Sequence, residues 1–95
     1  MKYKVDYTST FKKQYKKIKK QGKDLTKLHT VIQIISESKK LEFKYKNHNL
    51  MNNKKYKNCM ECHIEPDWLL VYQLKEKELV LLLFATGSHS DLFDN

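Results

Sequence analysis

The spacing of apolar residues changes period three times along this chain. Residues 4–8 (KVDYT) alternate apolar and polar side chains, as a half-buried strand does. From Phe11 the repeat lengthens. Phe11, Tyr15 and Ile18 stand at i, i+4 and i+7, which makes one apolar stripe on a helix. Thr8, Ser9 or Thr10 can cap its start, and Gly22 can end it in a left-handed conformation. Asp24 can cap a second helix reaching about Ser38, with Leu25, Leu28, Ile32 and Ile35 as its stripe and Val31 beside it. So short a connection predicts an antiparallel helix hairpin.

Residues 39–53 (KKLEFKYKNHNLMNN) have no period and read as one long irregular stretch; such loops in small domains often carry function. A strand pattern returns over residues 54–64. Met60, Cys62 and Ile64 alternate there with Glu61, His63 and Glu65, so one face packs and the other presents ionisable groups. Pro66 ends that strand, since proline donates nothing to a ladder. Residues 68–74 form a second strand, apolar enough to be central, and residues 75–77 a turn. Residues 78–84 form a third strand, the most apolar stretch of all. Gly87 breaks the pattern, and HSDLFDN follows as a tail. The order predicts one α+β domain over residues 1–95, β-α-α-β-β-β, with an antiparallel sheet and the helix pair on one face.

With 95 residues, 40% of them hydrophobic, the chain can bury one modest core. No apolar run approaches the ~20 residues of a spanning helix. The first residues carry no apolar segment of the signal-peptide kind, so a cytoplasmic protein with free thiols and no membrane partner is expected. Charge is uneven: residues 1–60 hold 17 lysines against 4 acids, residues 61–95 hold 2 against 7. The basic half suits a polyanion such as RNA. All 19 basic residues are lysine and none is arginine, a composition that biased codon usage also produces.

Cys59 to His63 spells C-x-x-C-H, the spacing of a c-type haem attachment site. Haem attachment requires export, which nothing here signals. A structural zinc wants a second ligand pair, and there is none. Cys62 is expected to pack beside the strand core and Cys59 to be a surface thiol. His29 lies within a predicted helix, where a lone histidine is ordinarily structural or solvated. No P-loop, dinucleotide or H-E-x-x-H motif occurs, so nucleotide-driven chemistry is not indicated and no cofactor is expected.

The remaining polar residues suit RNA cleavage. That reaction needs a base for a 2′-hydroxyl, an acid for the leaving 5′-oxygen, and positive charge on the phosphate. Histidine serves as either base or acid near neutral pH, and a carboxylate can orient it. His63 and Asp67 lie across the Pro66 bend, near enough for their side chains to meet, whereas only folding can bring in His48 and His89.

The segments YKNHNL (residues 45–50), ECHIEPDWLLVYQL (61–74) and TGSHSDLF (86–93) resemble the YafQ branch of the RelE/ParE superfamily of type II toxins. The likeness spans nearly the whole chain. It implies a metal-free, ribosome-dependent endoribonuclease that cuts mRNA in the ribosomal A site. It also implies a monomeric toxin neutralised by a small, acidic cognate antitoxin. Family positions match His48, His63, Asp67 and His89 as catalytic, with His63 (oriented by Asp67) or His48 as base and His89 as acid. Glu61 stands where the family has an acid, Phe93 matches its C-terminal aromatic, and Phe93 or Trp68 would stack on a base. The resemblance also implies arginines where this chain has Met60 and Ala85. A loop lysine, Lys54, Lys55 or Lys57, is then the expected substitute, although lysine is a point charge where arginine is a fork. Two alternatives stay open: a ParE-like gyrase inhibitor, whose relatives generally lack the histidines, and a weakened module that binds RNA or antitoxin without cutting.

The basic first helix is expected to meet ribosomal RNA. Charge-neutral replacement of Lys12, Lys16 and Lys19 should weaken ribosome binding and leave the fold intact. Binding by the unaltered chain should fall steeply with salt. An affinity that stays flat from low to moderate salt would deny the helix that role.

Overall fold

A computed structural model describes residues 2–51 and 53–93. The chain order is β1 (Lys4–Tyr7), α1 (Ser9–Lys20), α2 (Leu25–Ser36), a 3₁₀ turn (Phe43–Tyr45), β2 (His48–Asn49), β3 (Met60–Glu65), β4 (Trp68–Lys75), β5 (Val80–Gly87) and α3 (His89–Phe93). Helices α1 and α2 start where a side chain satisfies their loose N–H groups. Thr8 caps α1 by accepting from the Phe11 N–H at 2.9 Å, and Asp24 caps α2 through Thr26. Past the end of α1, Gly22 takes φ +79°, where a Cβ would be strained.

The five strands form one sheet in the order β1-β5-β4-β3-β2. Strands β2 to β5 pair antiparallel, but β1 runs parallel to β5, from Lys4 beside Val80 to Tyr7 beside Leu83. The sheet is therefore mixed, not antiparallel throughout. Parallel neighbours require a long crossover, and here everything between α1 and β4 supplies it. Alternation within the last three strands does not reveal where the first one docks.

Five consecutive residues of β4, Trp68 to Tyr72, are buried, so this strand is covered on both faces. On one face Cys62, Ile64, Trp68, Leu70, Tyr72, Leu81 and Leu83 pack against Phe11 and Ile18 of α1 and Leu28, Val31 and Ile35 of α2. On the other, Leu69, Val71 and Ala85 pack under Tyr56, Cys59 and Leu92. A bulge divides β5 between the two. Val71 faces Ala85 and Tyr72 faces Leu83, which leaves Phe84 unmatched. The extra residue reverses the parity of the strand. Leu81 and Leu83 thus point at the helices, and Ala85 points away from them.

Five features depart from expectation. Cys59 is 1% exposed, not a surface thiol, because the turn before β3 folds onto the sheet. Strand structure begins at Met60 rather than at residue 54. Asn53 accepts from the N–H groups of Lys55 and Tyr56 and forms a turn in its place. The irregular stretch contains the 3₁₀ turn and the short β2. The tail is a helix as far as Phe93, the last two residues lying outside those described. Ser88 begins α3 with a reciprocal cap: its Oγ accepts from the Asp91 N–H, and Asp91 accepts from the Ser88 N–H. The third long strand also runs later than predicted, to Gly87.

The two cysteines sit in different cores on opposite faces of the sheet. They cannot clasp one haem. Burial pushes both thiols up, that of Cys62 to about 12. No helix among the described residues is long and apolar enough to cross a membrane.

Trp68, 1% exposed, donates its indole N–H to Thr86 Oγ1 at 3.0 Å, and that hydroxyl donates to the Leu69 carbonyl at 2.8 Å. Thr86→Val keeps the shape but leaves the indole unpaired in the core. It should cost about 1–3 kcal/mol, read as a lower urea midpoint at unchanged slope, while Thr86→Ser should cost much less.

Candidate active site

Alternation along β3 sends Cys62 into the core beneath the helices and Glu61 and His63 to the other face. β2 pairs His48 directly across from Glu61. Glu61 Oε1 then lies 3.4 Å from His48 Nε2 and 3.4 Å from His63 Nε2, while its side chain is only 6% exposed. One carboxylate oxygen thus holds two imidazoles within ion-pair distance. The other nitrogen of His48, Nδ1, is 2.7 Å from the Lys46 carbonyl. A carbonyl can only accept, so Nδ1 carries the hydrogen there.

The third imidazole arrives with α3. His89 is the first residue of that helix, and its ring meets His63 edge to face with centroids 5.6 Å apart. Asp67, in the bend between β3 and β4, accepts from His89 twice on one oxygen: from the backbone N–H at 2.9 Å and from ring Nδ1 at 2.9 Å. These two bonds, the backbone one first, hold the Asp67 carboxyl below the ordinary aspartate range. Nδ1–H is therefore fixed on Asp67, and Nε2 is the nitrogen left for a substrate. Asp67 orients His89, not His63 as the chain spacing suggested. Proximity across Pro66 mattered less than the helix that lands beside the bend.

Gly87 permits that landing. It has φ +155°, and a Cβ there would stand 3.1 Å from Asp91. Asp91 also pairs with Lys17 of α1 at 3.2 Å, and its carboxyl is held down by the Ser88 N–H first and then by Lys17. From below, Tyr56 donates its hydroxyl to the Leu92 carbonyl at 2.9 Å. Phe93, half-buried, meets Tyr56 edge-on at 5.4 Å and His89 at 6.3 Å.

The other expected residues divide. Trp68 is on the helix side, sealed in the core, so no ring face is free to stack on a base. Lys55 has its ammonium on the Leu92 carbonyl at 3.3 Å and over the Tyr56 ring, which makes it a prop for α3. Lys54 and Lys57 line a cavity with Asn49 and Leu50, beside β2. Lys12, Lys16 and Lys19 of α1 line a groove with Val5 and Tyr7 of β1, away from the histidine cluster. His29 accepts from or donates to the Tyr15 hydroxyl at 2.8 Å and stacks on that ring, away from the cluster.

The family described as "Bacterial toxin of type II toxin-antitoxin system, YafQ" matches residues 3–94. The chain belongs to the YafQ toxin family. The mRNA interferase toxin YafQ of Escherichia coli (strain B / BL21-DE3) is 34% identical to it over 90 residues, 94% of each chain. A metal-bound toxin from Helicobacter pylori superposes with a TM-score of 0.89 at 40% identity, over 96% of this chain and 99% of that one. In the E. coli DinJ-YafQ toxin-antitoxin complex the similar chain gives a TM-score of 0.86 at 30% identity, over 98% and 99%.

The H. pylori relative was solved with metal bound. In this YafQ-family chain no three His, Cys, Asp or Glu side chains among the described residues are arranged to hold a metal ion. Two features of the site were not among the residues expected from the sequence. The Ser88-to-Asp91 cap was legible as S-x-x-D. Lys46, whose carbonyl holds His48, carried no signal beyond its place in a basic run.

Asp67→Asn should release the His89 ring, lowering cleavage by roughly tenfold or more and removing the Nδ1–H resonance from imidazole NMR spectra. Because the Asp67 carboxyl titrates below its ordinary value of 3.8, its stabilising contribution is present above that value. It is lost as pH falls through the lower folded value. The difference in Tm between the unaltered chain and Asp67→Asn should therefore shrink as pH is lowered below the ordinary carboxylate range.

Proposed function

We propose that this chain is the toxin of a type II toxin–antitoxin pair: an endoribonuclease that cuts mRNA in the ribosomal A site by histidine acid–base chemistry. The observation that carries this reading is the meeting of His48, His63 and His89 with Glu61 and Asp67 on one face of the sheet. These residues come from four separate places in the chain. The mRNA interferase toxins named among the relatives support the same substrate class.

His63 takes the proton of the 2′-hydroxyl. The 2′-oxygen attacks phosphorus, and the bond to the 5′-oxygen breaks. His89 gives that oxygen a proton from Nε2, with Asp67 gripping the opposite nitrogen. The products are a 2′,3′-cyclic phosphate and a free 5′-hydroxyl. His48, held between Glu61 and the Lys46 carbonyl, carries positive charge beside the phosphate when protonated. A base on the 5′ or 3′ side stacks on Phe93, whose ring borders His89. The lysine-rich half steers the protein to ribosomal RNA, with Lys54 near the site and Lys12, Lys16 and Lys19 on α1. The partner that silences it is a cognate antitoxin, by analogy with the DinJ-YafQ complex. Both act in the cytoplasm, and the free toxin is a monomer.

The absence of arginine favours a second reading, a chain that binds RNA and antitoxin but cuts poorly. Single-turnover cleavage of mRNA on programmed ribosomes separates the two. The unaltered chain should cut, and His89→Ala should lose about 10²–10⁴-fold in rate while still binding antitoxin. Growth arrest that survives His89→Ala would sink the nuclease assignment.

A further inference from the structure

β2 covers only the first two residues of β3, Met60 and Glu61. Beyond them the outer edge of the sheet faces not a strand but the 3₁₀ turn. A groove of about 530 Å³ opens there, lined by His63, Lys27, Lys44, Tyr45 and Lys46 among others. It therefore shares His63 with the histidine cluster. Lys27 is already neutralised by Glu65 at 2.9 Å. Lys44 and Lys46 have no carboxylate within 4.0 Å among the described residues, and the Lys44 ammonium lies over the Tyr45 ring at 5.2 Å. Phe43, which opens the same 3₁₀ turn, is 96% exposed and lines the neighbouring cavity that shares Lys46 with this groove. Its ring belongs to neither core.

The backbone gives Lys46 further weight. It adopts φ +49° and ψ +44°, the left-handed region, which costs a side-chain-bearing residue about 1–2 kcal/mol relative to helix. Glycine or asparagine would sit there more easily. The conformation closes the 3₁₀ turn onto the Phe43 carbonyl at 3.0 Å and aims the Lys46 carbonyl at His48. Strain of this kind gathers at functional positions. One residue thus positions an imidazole with its backbone and presents a free ammonium to the groove.

We propose that this groove is the subsite for the single-stranded mRNA flanking the scissile phosphate. Lys46 and Lys44 hold the adjoining phosphates, and Phe43 stacks on a base. The inference rests on the nuclease reading and adds permanent cations to the titratable one, His48, that the cluster itself holds. An acidic segment of the antitoxin would meet the same lysines. An exposed ring close in the chain to two unpaired cations, in a turn whose lysines share a groove with His63, fits a nucleic acid strand better, since every base offers a face to stack on.

The test uses mRNA cleavage on programmed ribosomes with Lys44→Gln, Lys46→Gly, Lys46→Arg and Phe43→Ala. Lys46→Gly keeps the left-handed backbone and the carbonyl while deleting the ammonium. It and Lys44→Gln should each raise KM about fivefold to tenfold, change kcat less, and flatten the salt dependence by about 0.7 in slope. Lys46→Arg should restore KM, and Tm should separate these effects from unfolding. A message with neutral methylphosphonates beside the cleaved bond should mimic the loss in the unaltered chain and add nothing to Lys46→Gly. Unchanged KM in both lysine variants, with cleavage intact, overturns the subsite alone. Additive losses assign the lysines to ribosomal RNA and overturn it too. Weakened antitoxin capture at unchanged KM makes the groove a peptide site instead. If the unaltered chain does not cut at all, the nuclease reading and the subsite fall together.

Discussion

Everything in this molecule depends on a sheet whose central strand is buried on both faces. The period of two along β3 and β4 assigns alternate residues to two different environments. Cys62, Leu70 and Tyr72 belong to the large core under the helices; Leu69 and Val71 belong to the small core under Tyr56 and α3. Glu61 and His63 share the parity of the second group. They stand at its border, where the covering layer ends and water begins. A carboxylate at that border is shielded from solvent but still within reach of two imidazoles. The site is thus an edge of the minor core, and the major core serves as the rigid base beneath it.

Two irregularities aim the remaining groups. The bulge at Phe84 shifts β5 by one residue, so that the segment after it emerges on the side of Glu61 and His63. Gly87 then lets α3 turn tightly against Asp91, and Asp67 fastens the first residue of α3 by its backbone and its ring. α3 has only five residues, too short to hold itself. It is held by Asp67, by the Ser88–Asp91 cap, by Lys17 from α1 and by Tyr56 from below. Placement of His89 is a property of these attachments.

If the substrate is RNA, a chain without arginine meets its phosphates with point charges. Such charges act best when several converge from fixed positions. Lys55 is engaged in propping α3, and Lys27 is paired with Glu65. Among the described residues, Lys44 and Lys46 of the 3₁₀ turn have no carboxylate within ion-pair distance, and a left-handed backbone couples Lys46 to His48. The cluster and the groove beside it are therefore one construction, built where β2 stops short.

Periodicity and capping residues determined the two helices, the three long strands and the side of β3 that carries ionisable groups, because those are local consequences of side-chain spacing. The resemblance of short segments pointed to His48, His63, Asp67 and His89. Only the tertiary structure decided their partners. Asp67 turned to His89, Trp68 and Cys59 went into cores, and β1 docked parallel at the far edge. Local patterns record which face a residue prefers. They do not record which distant element will cover that face, since that choice is made by long-range packing, a single extra residue in β5 and the few hydrogen bonds that pin a short helix.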